Sequence, residues 1–270
     1  MQNEAYNILN NRLTIRISQS FMSFAVINQA STVGIEYEPY AVKNGISIAA
    51  NLREAFNESA LLGMGFIKVQ VMIDTPVLLV PIEEFDESQK ELLYSHAFTR
   101  LGNDIIIHTI LPNENAVALF PLNKDLNMVI NDHFNDIRII PMMQSVWSYM
   151  HHRSFSGNRK KLYAYFHDHK VEVFCFKQNR FKFYNHYKIV TPYDASYFIL
   201  YVWKQLGMDA QNDELHIFGS INEKEVLIED LKKYLRGVYV INPEAEFNRA
   251  PITKIKGLPI DISILFLKGR

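Results

Sequence analysis

The sequence predicts an α/β protein of two lobes, each a three-stranded meander followed by a helix and a further strand. Three observations predict it. The chain has 270 residues, enough to bury two modest cores. Its 48% hydrophobic and 21% charged content is that of a folding chain and excludes a disordered or low-complexity scaffold. One order of apolar runs and helical stripes also occurs twice, from Arg12 to Ile73 and from Lys161 to Phe218.

In the first copy, Leu13, Ile15 and Ile17 alternate with Thr14, Arg16 and Ser18. An apolar run to Ile27 resumes after a short polar turn, which is a β-hairpin pattern. Val33 to Tyr40 is a third extended run, set off by the polar stretch Asn28 to Thr32. From Ile46 to Leu62, residues Ile48, Leu52, Ala55, Phe56 and Leu62 share a helical stripe, with Asn51, Arg53, Glu54 and Glu58 away from it and Gly63 as a stop. Phe66 to Ile73 completes the unit as a strand.

The second copy repeats the order. Lys161 to Phe166, Val171 to Phe176 and Phe181 to Ile189 form the meander around the turns His167 to Lys170 and Lys177 to Arg180. Pro192 opens a helix that reaches Leu206 and ends at Gly207, with Tyr193, Tyr197, Leu200, Tyr201 and Leu206 as packing positions. Glu214 to Phe218 is the following strand. Laying Leu13 on Leu162, Ile17 on Phe166, Phe24 on Val173 and Val26 on Cys175 keeps one offset without a gap, so the repeat is one of pattern rather than identity.

Between the copies the sequence predicts a strand at Val77 to Val80 and a helix from Asp86 to Arg100. A hairpin of Asp104 to Leu111 with Ala116 to Leu122 follows, then a helix at Lys124 to Phe134, a strand at Asp136 to Ile140 and a helix at Met142 to His152. The acidic run Glu83, Glu84, Asp86, Glu87 and Glu91 fits the positive end of the helix starting there. The expected division is a first lobe over 1–153, carrying an inserted hairpin near 104–122, and a second over 154–270.

Lys and Arg total 28 against 29 Asp and Glu, so no global field steers nucleic acid or membrane to the chain. The single cysteine, Cys175, can form neither an internal disulfide nor a multi-cysteine zinc site, which suits a reducing compartment and predicts the cytoplasm. Cys175 reads as a buried small hydrophobe rather than a nucleophile. Met1 to Asn11 is polar and lacks a signal-peptide pattern, and no apolar run reaches the roughly 18 residues that span a bilayer. Gly-x-Ser-x-Gly, the P-loop, the dinucleotide fingerprint and His-Glu-x-x-His are absent from the sequence.

The doubled meander resembles the actin-like ATPase fold, two ribonuclease-H-like β-β-β-α-β-α-β lobes with a nucleotide cleft between them. The resemblance covers nearly the whole chain and is strongest at Arg12 to Ile27, at Ile139-Ile140-Pro141-Met142-Met143-Gln144-Ser145 and at Lys161 to Phe176. More narrowly, the chain resembles an uncharacterised bacterial family, domain of unknown function family 3822, with a degenerate actin-like fold. In the actin-like pattern each hairpin turn carries an acidic residue followed by Gly, so that backbone N–H groups reach phosphate while carboxylates hold magnesium through water.

Here the first turn is Ser18-Gln19-Ser20-Phe21, with neither feature, and the second is His167-Asp168-His169-Lys170, with one carboxylate and no glycine. Phe218-Gly219-Ser220 keeps one glycine of the adenosine-side pair. The resemblance thus implies a cleft in which Ser18, Ser20, His167, Asp168, Gly219 and Ser220 are the remaining candidates for ATP and magnesium. Side chains crowd the phosphate positions and the first metal-organising Asp is missing, which weighs against ATP hydrolysis.

The expectation is a non-catalytic protein without catalytic residues, resident metal or cofactor, which binds or scaffolds a protein partner. Nucleotide binding or switching at the cleft is the alternative. A second alternative is RNA: Arg153, Arg159, Lys160 and Lys161 stand in a stretch from Ile137 to His167 without an acidic residue and with aromatics interleaved. His167, Asp168 and His169 read as a solvated polar turn rather than a metal site. Tyrosines clustered from Tyr184 to Tyr201 read as core with hydroxyls at its edge.

Overall fold

The computed structural model describes residues 11–99, 102–178 and 180–268. Expectations that touch the N-terminal ten residues, Arg100 and Asn179 lie outside them. In chain order the first repeat and its connection run β1 (Leu13–Ile17), β2 (Phe21–Ile27), β3 (Ile35–Ala41), α1 (Ile48–Glu58), β4 (Lys68–Ile73), β5 (Leu78–Pro81), α2 (Lys90–Ala97), β6 (Asp104–Leu111), β7 (Ala116–Asn123), α3 (Lys124–His133), β8 (Asp136–Pro141) and α4 (Met143–Ser154). Then come β9 (Lys161–His167), β10 (Lys170–Lys177), β11 (Arg180–Lys188), α5 (Pro192–Gln205), β12 (Glu214–Gly219), α6 (Lys224–Lys232), β13 (Gly237–Val240), α7 (Pro243–Glu246) and α8 (Ile260–Lys268).

Two five-stranded sheets share one topology, β3-β2-β1-β4-β8 and β11-β10-β9-β12-β13, and β5-β7-β6 form a third sheet. In each large sheet the meander is antiparallel and the strands beyond its first member are parallel. Ile15 faces Phe24 and Val71 in one; Ala164 faces Val173 and Ile217 in the other. Residues that overlay in sequence therefore occupy matching register positions, as an α/β chain of two like lobes requires.

The chain gathers into two compact units: Met1–Leu111, Val117–Ser145 and Ala250–Arg270 in one, Pro112–Ala116 and Val146–Arg249 in the other. The stretch from Ala250 onward thus joins the first unit rather than the repeat that precedes it in sequence, and one boundary falls inside α4.

In the first unit, Leu13, Ile15, Phe24 and Val71 of the sheet pack against Leu52 of α1 and Val129 of α3. Ser47 caps α1 by accepting from the Ala50 N–H at 3.1 Å, and Asn123 caps α3. Asn51 departs from the polar face expected for α1. It is buried, and its side chain accepts from the Lys43 N–H at 2.7 Å and donates to the Lys43 carbonyl at 3.1 Å, so it satisfies the loop entering the helix. The polar half of the β1 alternation is buried too. Arg16, 2% exposed, donates from Nε to both Asp261 carboxylate oxygens at 3.1 Å, and Asp261 on α8 is fully buried. Ser145 donates to the Asp261 carbonyl at 3.0 Å.

In the second unit, Leu162, Val173 and Leu215 pack against Ile199, Val202 and Trp203 of α5 and Leu227 and Leu231 of α6. Thr191 and Asp194 form a capping box around Pro192 at the start of α5. The packing positions expected for Tyr193, Tyr197 and Tyr201 are corrected here: these side chains lie on the exposed side of α5, at 60%, 64% and 49% exposure. Spacing of four residues puts them on one face, and the adjacent face with Ala195, Ile199 and Val202 holds the core.

Candidate functional site

The first hairpin turn directs its polar groups onto itself. Both the Ser18 N–H and its hydroxyl donate to the Phe21 carbonyl, at 2.9 and 2.8 Å, which closes the turn around Gln19 and exposed Ser20. Ser18 is buried, and the Ser20 carbonyl accepts from the Val42 N–H at 3.2 Å.

The second turn, Asp168-His169, has φ of +41° and +57°, the left-handed pair of a two-residue type I′ hairpin, without the glycine that this geometry favours. His167 is not part of a solvated turn. It is 4% exposed at the end of β9, its Nε2 lies 3.2 Å from buried Glu172 and its Nδ1 3.4 Å from Asp168. Burial alone would push the Glu172 carboxyl up, but the His167 hydrogen bond and charge, with Lys170 and His186 nearby, hold it below its usual range. Because His169 carries a left-handed penalty of roughly 1 kcal/mol that glycine avoids, His169→Gly is expected to stabilise the second unit by about 0.5–1 kcal/mol. A rise of about 1–3 °C in Tm, read by tryptophan fluorescence, is the expected measure; an unchanged or lower Tm would show that the turn is unstrained.

Gly219 ends β12 with φ +98°, and a Cβ there would lie 2.2 Å from the Phe166 carbonyl oxygen. Its lack of a side chain thus serves the closure of β12 on β9, which Ser220 completes by donating its N–H to the same carbonyl at 2.8 Å. Ser220 and His169 meet at a cavity of about 90 Å³ beside Lys170, Thr191, Asn222 and Glu223. Within this unit, that cavity is several times smaller than the roughly 300 Å³ at which small-molecule sites begin. Asp168 does not line it.

Two of the four cations in the basic stretch meet acids distant in sequence, and the other two donate to carbonyl and hydroxyl groups. Arg153 forms an ion pair with Glu246 of α7, which also accepts from the Tyr149 hydroxyl. Arg159 lies 3.6 Å from Glu214, and Lys160 donates from Nζ to the Gly207 carbonyl at 3.1 Å. Lys161 donates to the Arg153 carbonyl at 3.1 Å and the Ser156 hydroxyl at 2.7 Å, and burial holds its ammonium below the usual range. The absence of acids between Ile137 and His167 is a property of the chain, not of its folded surroundings.

Other sequence readings acquire specific partners. Asp86 accepts from the Ser88 N–H at 2.9 Å and from its hydroxyl at 2.7 Å, bonds that cap the turn entering α2 and lower its carboxyl. Cys175 is 7% exposed, and burial pushes its thiol up to about 12. Among the described residues, no helix is long and apolar enough to cross a membrane.

A sequence model of the family described as Protein of unknown function (DUF3822) matches residues 1–238. The fold is similar to that of a Bacteroides thetaiotaomicron protein described as having an actin-like ATPase fold and unknown function: 28% identity over 98% of each chain, with a TM-score of 0.84. It is also similar to a chain of the PilM–PilN type IV pilus biogenesis complex, at 9% identity over 87% of this chain and 89% of that one, with a TM-score of 0.56. No curated protein matches.

Proposed function

The chain belongs to the family Protein of unknown function (DUF3822), with an actin-like ATPase fold, and from that premise we propose that it is a non-catalytic protein that binds or scaffolds a protein partner. The observation that carries this reading is the engagement of the would-be phosphate-binding groups with the fold itself. Ser18 closes its own turn, Asp168 sits beside His167, and the space that Gly219 leaves is filled by Phe166. Transition-state charge on phosphate needs donors preorganised toward it, and groups that already serve the hairpins cost binding energy to redirect. The exposed tyrosines of α5 support a docking role, since tyrosine supplies rigid apolar area with a polar tip. A protein-binding role is also within the range of this fold, as the PilM–PilN complex contains it.

Thermal-shift titration with Mg-ATP, Mg-ADP and GTP tests the reading. No saturable change in Tm is expected. A saturable rise that disappears in Asp168→Ala would replace it with nucleotide binding.

A further inference from the structure

We propose that Asn44 is a modification site, at which the folded chain converts its own side-chain amide into aspartate and isoaspartate through a cyclic imide; the inference is independent of the binding role above. Asn44-Gly45 is the only Asn-Gly pair in the sequence. Both residues are exposed, in the turn that leads from β3 to α1. Gly45 has φ +88°, a left-handed conformation that a side chain would strain, so the fold itself calls for glycine after this asparagine. Nothing lies within 4 Å of the place a Cβ would take there, which leaves the Gly45 nitrogen open on the side that any other residue would cover. Among the described residues, neither the Asn44 side chain nor the Gly45 N–H has a hydrogen-bond partner that would hold it back.

The chemistry needs only these two residues and water. The Gly45 nitrogen bonds to the Asn44 side-chain carbonyl carbon, and the bond from that carbon to the side-chain nitrogen breaks. That nitrogen leaves as ammonia, carrying the proton lost from the Gly45 N–H. Water then opens the five-membered imide. Cleavage of the new bond restores the main chain and leaves aspartate, whereas cleavage of the original peptide bond leaves isoaspartate, whose main chain runs through Cβ and is one atom longer. One water is consumed and one ammonia released, with no oxidant or reductant.

The turn is anchored at both ends, which gives the longer product a consequence. The Val42 N–H donates to the Ser20 carbonyl at 3.2 Å, Asn51 binds both the N–H and the carbonyl of Lys43, and Ser47 caps α1. Only Asn44, Gly45 and Ile46 lie between Lys43 and Ser47. An isoaspartyl link therefore loosens the entry to α1, while aspartate at the same position leaves every anchor in place.

The test holds the full chain at mildly alkaline pH and reads the tryptic peptide Asn44–Arg53 by fragmentation mass spectrometry over time. Asn248 is the internal comparison, since it is exposed and its side chain has no described partner, but Arg249 follows it. Asn44 is expected to yield isoaspartate together with aspartate, at least about tenfold faster than Asn248 and about as fast as in the urea-unfolded chain. Gly45→Ala is expected to slow conversion at least about tenfold, in urea as well as folded, so that strain in the turn does not decide the result. The separated isoaspartyl form is expected to melt below the parent, and Asn44→Asp with it. Conversion without isoaspartate, equal rates at Asn44 and Asn248, or a folded chain at least about tenfold slower than the unfolded one would overturn the site. An isoaspartyl form with the parent's Tm would overturn its effect on α1.

Discussion

Asp261→Ala is expected to destabilise the first unit by about 3–5 kcal/mol, because it removes the buried carboxylate that receives both Arg16 Nε hydrogen bonds. Arg16 is 2% exposed and Asp261 is fully buried, so water cannot replace the lost carboxylate without opening the joint between β1 and α8. Exposed pairs of the same type contribute far less. Arg12 with Asp136, at 2.8 Å and substantially exposed, is expected to change stability by less than about 1 kcal/mol when Asp136 is replaced. Replacing both buried partners, as in Arg16→Met/Asp261→Leu, is expected to cost less than Asp261→Ala alone, since neither member of the pair stays buried without the other. Urea unfolding followed by far-UV circular dichroism reads these effects, because both tryptophans, Trp147 and Trp203, belong to the second unit. A change below about 1 kcal/mol for Asp261→Ala would mean that Arg16 finds another counter-charge or water.

Gly219→Ala is expected to damage the second unit by an amount on the order of 3–5 kcal/mol, through a backbone collision added to left-handed strain. The new methyl would meet the Phe166 carbonyl oxygen at 2.2 Å, the Phe166 nitrogen at 2.9 Å and Tyr165 Cδ2 at 2.9 Å. Backbone atoms of paired strands cannot swing aside as the end of a flexible side chain can. Gly207 supplies the control: its φ is +57°, yet nothing lies within 4 Å of the place a methyl would take, so Gly207→Ala is expected to cost only about 1 kcal/mol. Tryptophan fluorescence during urea unfolding compares them, and equal losses would show that the collision is relieved by strand movement.

The repeat and its register were legible in the sequence because period-two alternation and the Pro192 helix start act locally, and the structure keeps both where pattern places them. What tertiary covering decides was not legible. Arg16 reads as the polar half of an alternating strand until α8, 245 positions later, covers it. Arg153 and Arg159 read as a cationic run until Glu246 and Glu214 return to them. The tyrosines of α5 read as a packing stripe because aromatic spacing alone does not say which of two neighbouring helix faces meets the sheet. At the candidate site, the missing turn glycines were visible, but not that Asp168 and His169 adopt the left-handed geometry without them.

The return of α8 to β1 has a consequence for vectorial synthesis. While the ribosome is still translating the middle of the message, the first unit has its sheet but lacks the Asp261 carboxylate that Arg16 meets on α8, so its maturation waits on residues made long after its own strands. A stalled nascent chain lacking α8 is therefore expected to be a chaperone client, although every strand of its first large sheet has already emerged.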